Sequence, residues 1–224
     1  MTLDNSCRAA STGVAMLFMA LNGSPVGATE PRLSFDRVFT AANEAPSLHY
    51  KVLFRGASGV HQMEAWRDGD RRVKRVTDKA IVSLATHRPG DPGYQLTVID
   101  LKRRIATKID RTNLYRVGNF TDWFDLGHGL RHPKGKYTLT VSTAPPGIPK
   151  SIAACAWYRL TDGARATSIC WDVRDRLPLL LVASDNQLLW RVIHVDTKPS
   201  TAAIFAIDIR GFTVNDANRD IDQD

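Results

Sequence analysis

The sequence has little cysteine, no long apolar run and no familiar catalytic phrase, and each lack excludes a class of protein. It holds three cysteines in 224 residues, none in a Cys-x-x-Cys pair, which excludes a thioredoxin-like redox motif and a four-cysteine zinc site. No uninterrupted apolar stretch reaches the ~20 residues that a spanning helix needs, so an integral membrane protein built on helices is not expected. Gly-x-Ser-x-Gly, Ser-x-x-Lys and a phosphate-cradling glycine loop are all missing from the sequence, so the usual signatures of nucleophilic and nucleotide chemistry are absent. Internal repeats and low-complexity linkers are missing too, which favours one domain on a prior of ~150 residues each.

What is present reads as an exported, ordinary globule. Hydrophobic residues make up 43% and charged residues 24%, a balance that excludes disorder, collagen and coiled coil. The apolar core Gly13–Leu21 is followed by Asn22-Gly-Ser-Pro-Val-Gly-Ala28, with Val26 and Ala28 where a signal peptidase accepts small residues. The reading is a signal peptide over 1–28, cleaved after Ala28, and a periplasmic location. Cys7 precedes that apolar core, so no lipoprotein anchor is implied. Cleavage removes one base, Arg8, and one acid, Asp4, so the net charge of +7 is kept. Outside the cytoplasm a basic surface meets anionic lipid, acidic glycan or an acidic partner sooner than nucleic acid.

Removal of Cys7 leaves Cys155 and Cys170, an even pair in an oxidising compartment. Asp162-Gly163 between them is a favoured two-residue hairpin tip. With that tip Cys155 falls directly opposite Cys170, and opposed residues lie ~4.5–5.5 Å apart, inside the ~4.4–6.8 Å a disulfide accepts. The spacing predicts a Cys155–Cys170 disulfide that pins one hairpin.

Elsewhere the pattern is period two. Ser34 is placed to cap a short helix with Phe35, Val38, Phe39 and Ala42 on one stripe, ended by Pro46. Leu48, Tyr50, Val52 and Phe54 alternate with polar neighbours. Hairpin signals at Gly56–Gly59 and Asp68-Gly69, and runs at Val60–Arg67, Val73–Val76, Ala80–Thr86, Tyr94–Val98, Ile105–Ile109, Lys136–Ser142, Leu179–Ala183, Leu188–Val195 and Ile204–Ile209, give about ten strands with the cysteine hairpin. Pro178 predicts an edge strand or one that starts after it. Asn113–His132 reads as a long excursion with a short amphipathic helix carrying Val117, Phe120 and Phe124, broken afterwards by Gly127 and Gly129. The acidic segment 215–224 reads as a polar tail. The expected fold is mainly β: a strongly curved antiparallel meander forming a half-open barrel over 29–214, with an N-terminal helix and a lid-like mid-chain helix inside it or across its mouth.

This element order, with the phrases Val98-Ile-Asp100 before a basic hairpin and Cys-x-x-Tyr…Cys-Trp-Asp…Leu-Pro-Leu at Cys155–Leu179, resembles the LolA/LppX/RseB-type superfamily of periplasmic carriers and envelope-stress sensors over about Leu33–Phe212. The resemblance implies a half-open barrel with a hydrophobic cavity for acyl chains, and no individual ligand-binding residue is carried over from it.

Candidate sites follow from residue type. Phe39, Val117, Phe120, Trp123 and Phe124 are the candidate cavity and lid residues, with Trp123 and Phe124 the best placed for a movable apolar cover. Basic clusters at Arg67–Arg75 and Lys102–Arg111 supply candidate head-group residues Arg72, Arg75 and Arg104. His128 and His132 are four apart, but Gly129 and Pro133 disfavour a metal-binding helix and the Glu of His-Glu-x-x-His is missing. His49, His61, His87 and His194 lie on separate strands and form no spacing motif. The run at Asp216–Asp222 lacks the glycine and closing Glu of a calcium loop. These readings predict a non-enzymatic carrier of a lipid-like amphiphile, without cofactor or metal. The alternative is an envelope sensor or partner-binding module of the same fold, and the third reading is a hydrolase whose carboxylates meet only in space.

Overall fold

Alternation of apolar and polar side chains becomes strands here, and the tight turns between runs make neighbours antiparallel. The structure, a computed structural model, describes residues 33–87, 93–116, 122–148 and 155–221. The expected signal segment, Val117 and Phe120 lie outside the described residues. Strands account for 51% and helices for 13%, so the fold is mainly β. The strands are β1 (Ser47–Gly56), β2 (Gly59–Asp68), β3 (Arg72–Thr77), β4 (Ile81–His87), β5 (Tyr94–Asp100), β6 (Ile105–Asp110), β7 (Tyr137–Val141), β8 (Ala156–Asp162), β9 (Arg165–Asp172), β10 (Leu177–Ala183), β11 (Leu188–Asp196) and β12 (Thr213–Asp216). Among the described residues the short helices are α1 (Phe35–Val38), α2 (Arg111–Arg116), α3 (Trp123–His128), α4 (Ala202–Phe205) and α5 (Ala217–Ile221).

The twelve strands among the described residues form one open sheet in the order β12-β6-β5-β4-β3-β2-β1-β11-β10-β9-β8-β7. The chain starts at the centre with β1 and meanders to β6. The excursion bearing α2 and α3 then carries it to the far edge, from which β7–β11 return to pair with β1. β12 adds to β6 in parallel, the one parallel pair among the described residues, reached by a long crossover as such pairs require.

The sheet bends around α3. Trp123 at one end of α3 packs on His87 of β4 and Tyr94 of β5, while Phe124 and His128 pack on Trp171 of β9. β5 and β9 are seven steps apart in the strand order. Seven steps on a flat sheet span ~34 Å, whereas six helical residues span ~9 Å. Only curvature brings both strands to one short helix.

Each face has its own core. On the α3 side, Leu48, Tyr50, Val52, Met63, Ala65, Leu177 and Trp190 pack together, and Phe35 and Phe39 of α1 join Leu130, Leu139, Ile169 and Trp171. On the other side, Val82, Ile99 and Ala106 are covered by Ile207, Ile209 and Phe212, and Trp157, Cys170, Leu180 and Val182 pack with Cys155.

Several expectations need correction. The Cys155–Cys170 disulfide forms, with Cα atoms 5.4 Å apart, but in a different register. Trp157, not Cys155, opposes Cys170, and Asp162 pairs with Arg165 around Gly163-Ala164. Gly163 has φ +57° while neither Asp162 nor Ala164 has positive φ. The glycine therefore sits first in the turn, as a II′ hairpin wants, and not second. Pro178 lies in an interior strand, at a β-bulge between Pro178 and Leu180, where a missing N–H is tolerated. The first helix stops at Val38 and is not extended to Ala42. The mid-chain excursion holds two helices, with Gly127 inside α3 and Gly129 as its left-handed cap at φ +71°. Ile204–Ile209 is no strand: it covers the sheet as the end of α4 and an extended segment. Thr213–Ile221 forms β12 and α5, anchored where Asn218 Oδ1 accepts from the Asp110 N–H at 2.8 Å and from Asn113 Nδ2 at 3.0 Å.

Candidate functional site

The mid-chain helix packs both on apolar clusters and on buried charged side chains. α3 begins where Asp122 Oδ1 accepts from the Asp125 N–H at 2.6 Å, a side-chain N-cap. Trp123, Phe124 and Leu126 supply its apolar faces. Leu126 packs into the cluster of Ala85, Tyr94, Ile109 and Leu114, and Phe124 stacks on His128 with ring centroids 4.0 Å apart.

Beneath these lie charges. Strand parity places Arg67 beside Met63 and Ala65 on the inner side of β2, and its side chain is 1% exposed. Arg67 Nη1 lies 3.1 Å from Glu44 Oε2 and 2.7 Å from His128 Nε2. His128 Nδ1 donates to the Phe124 carbonyl at 2.8 Å, and Nε2 is also 2.8 Å from Glu44 Oε2. Tyr50 donates its hydroxyl to the Gly127 carbonyl at 3.4 Å, and Arg75 donates to the Asp125 carbonyl. Three nitrogens in this seat, Arg67 Nε and Nη2 and Arg75 Nε, are buried without a hydrogen-bond partner.

Burial sets the titration of these groups. It pushes the His128 imidazole below its ordinary value, with Glu44 opposing and Arg67 reinforcing. It lowers Arg67 and raises the Tyr50 hydroxyl. Burial also pushes nearby Tyr94 up to about 12. Burial thus favours the neutral imidazole, whose Nδ1 donates to the Phe124 carbonyl. Glu44, Arg67 and His128 contact one another, and through His128 this cluster is joined to α3.

The sequence candidates divide between the two faces. Phe39 is 2% exposed, edge-on to Tyr158 and Trp171, and together with Trp123 and Phe124 it lines the α3 side. Arg75 lies on that side as well. Arg72 lies on the other, paired with Asp68 and over the Phe205 ring at 4.4 Å. Arg104 lies over the Phe212 ring at 5.4 Å, beneath the same crossover as Arg72. Near the C-terminal end of α3 a half-open hollow of about 510 Å³ is lined by Arg131, His132, Lys134, Arg165 and Asp162, with Leu160 and Leu189.

Residue-type reasoning passed over Glu44 and Arg67. The signal for Arg67 was its parity: it shares a strand face with Met63 and Ala65, both buried. Glu44 gives no such signal, because it lies between elements. The chain matches no family model and no curated protein.

Proposed function

We propose that the chain is a periplasmic, non-catalytic carrier or binder of a lipid-like amphiphile, a half-open barrel whose cargo space opens when α3 leaves its seat. The observation that carries this reading is the polar floor under α3. A permanent plug gains most from apolar contact, and buried charges with unsatisfied N–H groups cost about 1–3 kcal/mol each. A plug held by polar contacts leaves more readily, because water or a head group replaces those partners. Its departure bares Tyr50, Tyr94, Trp171 and neighbouring side chains, onto which acyl chains gain ~0.8 kcal/mol per buried CH₂. Arg67 and Arg75 then face the cargo, and the basic hollow lined by Arg131, Lys134 and Arg165 suits an anionic head group at the mouth.

A partner-binding module of the same architecture is the second reading. It draws on the inner face as seen, filled by α1 and α3.

Mass spectrometry of an organic extract of the purified protein separates the two. The carrier reading expects a stoichiometric amphiphile, and delipidated protein that binds a lysophospholipid with one site per chain. Empty preparations together with no lysophospholipid binding would sink it.

A further inference from the structure

We infer that His49, His194 and Asp196 form a site for a divalent transition-metal ion, zinc being the best fit, on the face of the sheet opposite α3. This inference is independent of the carrier reading.

Strand register assembles the site. β1 and β11 pair antiparallel with His49 opposite Asp196 and Lys51 opposite His194. Opposed residues share a face, and positions two apart on a strand return to it. His49, His194 and Asp196 therefore project together, away from buried Leu48, Tyr50 and Val52. One ligand atom from each lies within 4.8 Å of the others. Two imidazoles and a carboxylate form a nitrogen–oxygen donor set that suits zinc, with water left to complete four-coordination.

The neighbours prepare one ligand. His49 stacks on Trp66 with ring planes 2° apart, and its Nε2 is 2.8 Å from Glu64 Oε1. An ionised carboxylate only accepts, so His49 Nε2 carries the proton and Nδ1 is left for the metal. A carboxylate that orients a histidine from behind is the usual outer partner of a metal-bound imidazole. Asp196 Oδ1 accepts from the Lys198 N–H at 2.9 Å, which fixes that carboxylate too. Two cations compete with the ion: Lys51 Nζ lies 3.2 Å from Glu64 and Lys198 Nζ 3.6 Å from Asp196. Lys198 is largely exposed and swings away at little cost.

The test is calorimetric titration of chelator-treated full-length protein with zinc chloride. The expected result is one saturable site per chain, weakened about tenfold or more in His194→Ala and in Asp196→Asn. His194 is exposed, so its removal leaves the fold intact, and thermal melting without metal checks this. His61→Ala removes a histidine paired with Asp78 elsewhere and should leave the affinity unchanged. Absence of saturable binding, or affinity unchanged in either site variant, would overturn the proposal.

Discussion

At the scale of single residues, the account turns on His128. Its side chain is 2% exposed, enclosed by Glu44, Arg67, the Phe124 carbonyl and Trp171. Burial lowers its affinity for a proton in the folded state. An unfolded histidine takes up its proton near pH ~6.5. Below that pH the unfolded chain binds more protons than the folded one, and stability falls as pH falls, by up to ~1.4 kcal/mol per pH unit for one group. Melting temperature should therefore drop between pH 7.5 and 5.5, and the drop should be shallower in His128→Gln. Equal slopes in the two proteins would assign the pH dependence to other groups. This residue was half legible. Sequence reasoning places His128 in a glycine-bearing excursion and disfavours a metal role, but the partner that buries it, Arg67, reads as one more charge in a basic hairpin. Composition hides what strand parity reveals.

At the scale of elements, α3 ends at Gly129, and that glycine is not replaceable. Its φ is +71°, and a Cβ there would run into the Trp190 ring. Left-handed backbone costs a side chain ~1–2 kcal/mol, and crowding adds ~1–3 kcal/mol. Gly129→Ala should destabilise the protein by at least about 2 kcal/mol in denaturant melts, whereas Gly135→Ala, where nothing crowds the position, should be near neutral. The elements themselves were the most legible part of the chain. Alternation at Leu48–Phe54 and Tyr94–Val98 predicts β1 and β5, because a half-buried strand writes its period into local sequence. What failed depended on partners. The Asp162-Gly163 tip misplaced the hairpin register because a glycine suits either central turn position, and only the φ values distinguish them. Pro178 reads as the mark of an edge strand, or of one that starts after it, because nothing local announces a bulge. Ile204–Ile209 has strand-like residues, yet it lies across the sheet over Val82, Ile99 and Ala106, where Ile207 and Ile209 are half-buried without a ladder.

At the scale of the whole molecule, the proposed function rests on the curved sheet and the helix packed on it. Long-range order could not be read directly: that β11 returns to β1, that β12 joins β6, and that His49 meets His194 all follow from pairing across the chain. The candidate site was legible only as an apolar cover, in Trp123 and Phe124, and its polar seat was not. The central claim is that α3 is a removable plug on a stable sheet. Hydrogen exchange followed by mass spectrometry, with and without a lysophospholipid, measures this directly. The account predicts that amides of residues 123–130 exchange faster than those of β1 and β2, and lose further protection when the amphiphile is added, while the central strands do not change. Exchange in α3 as slow as in β1, and unaltered by the amphiphile, would contradict it.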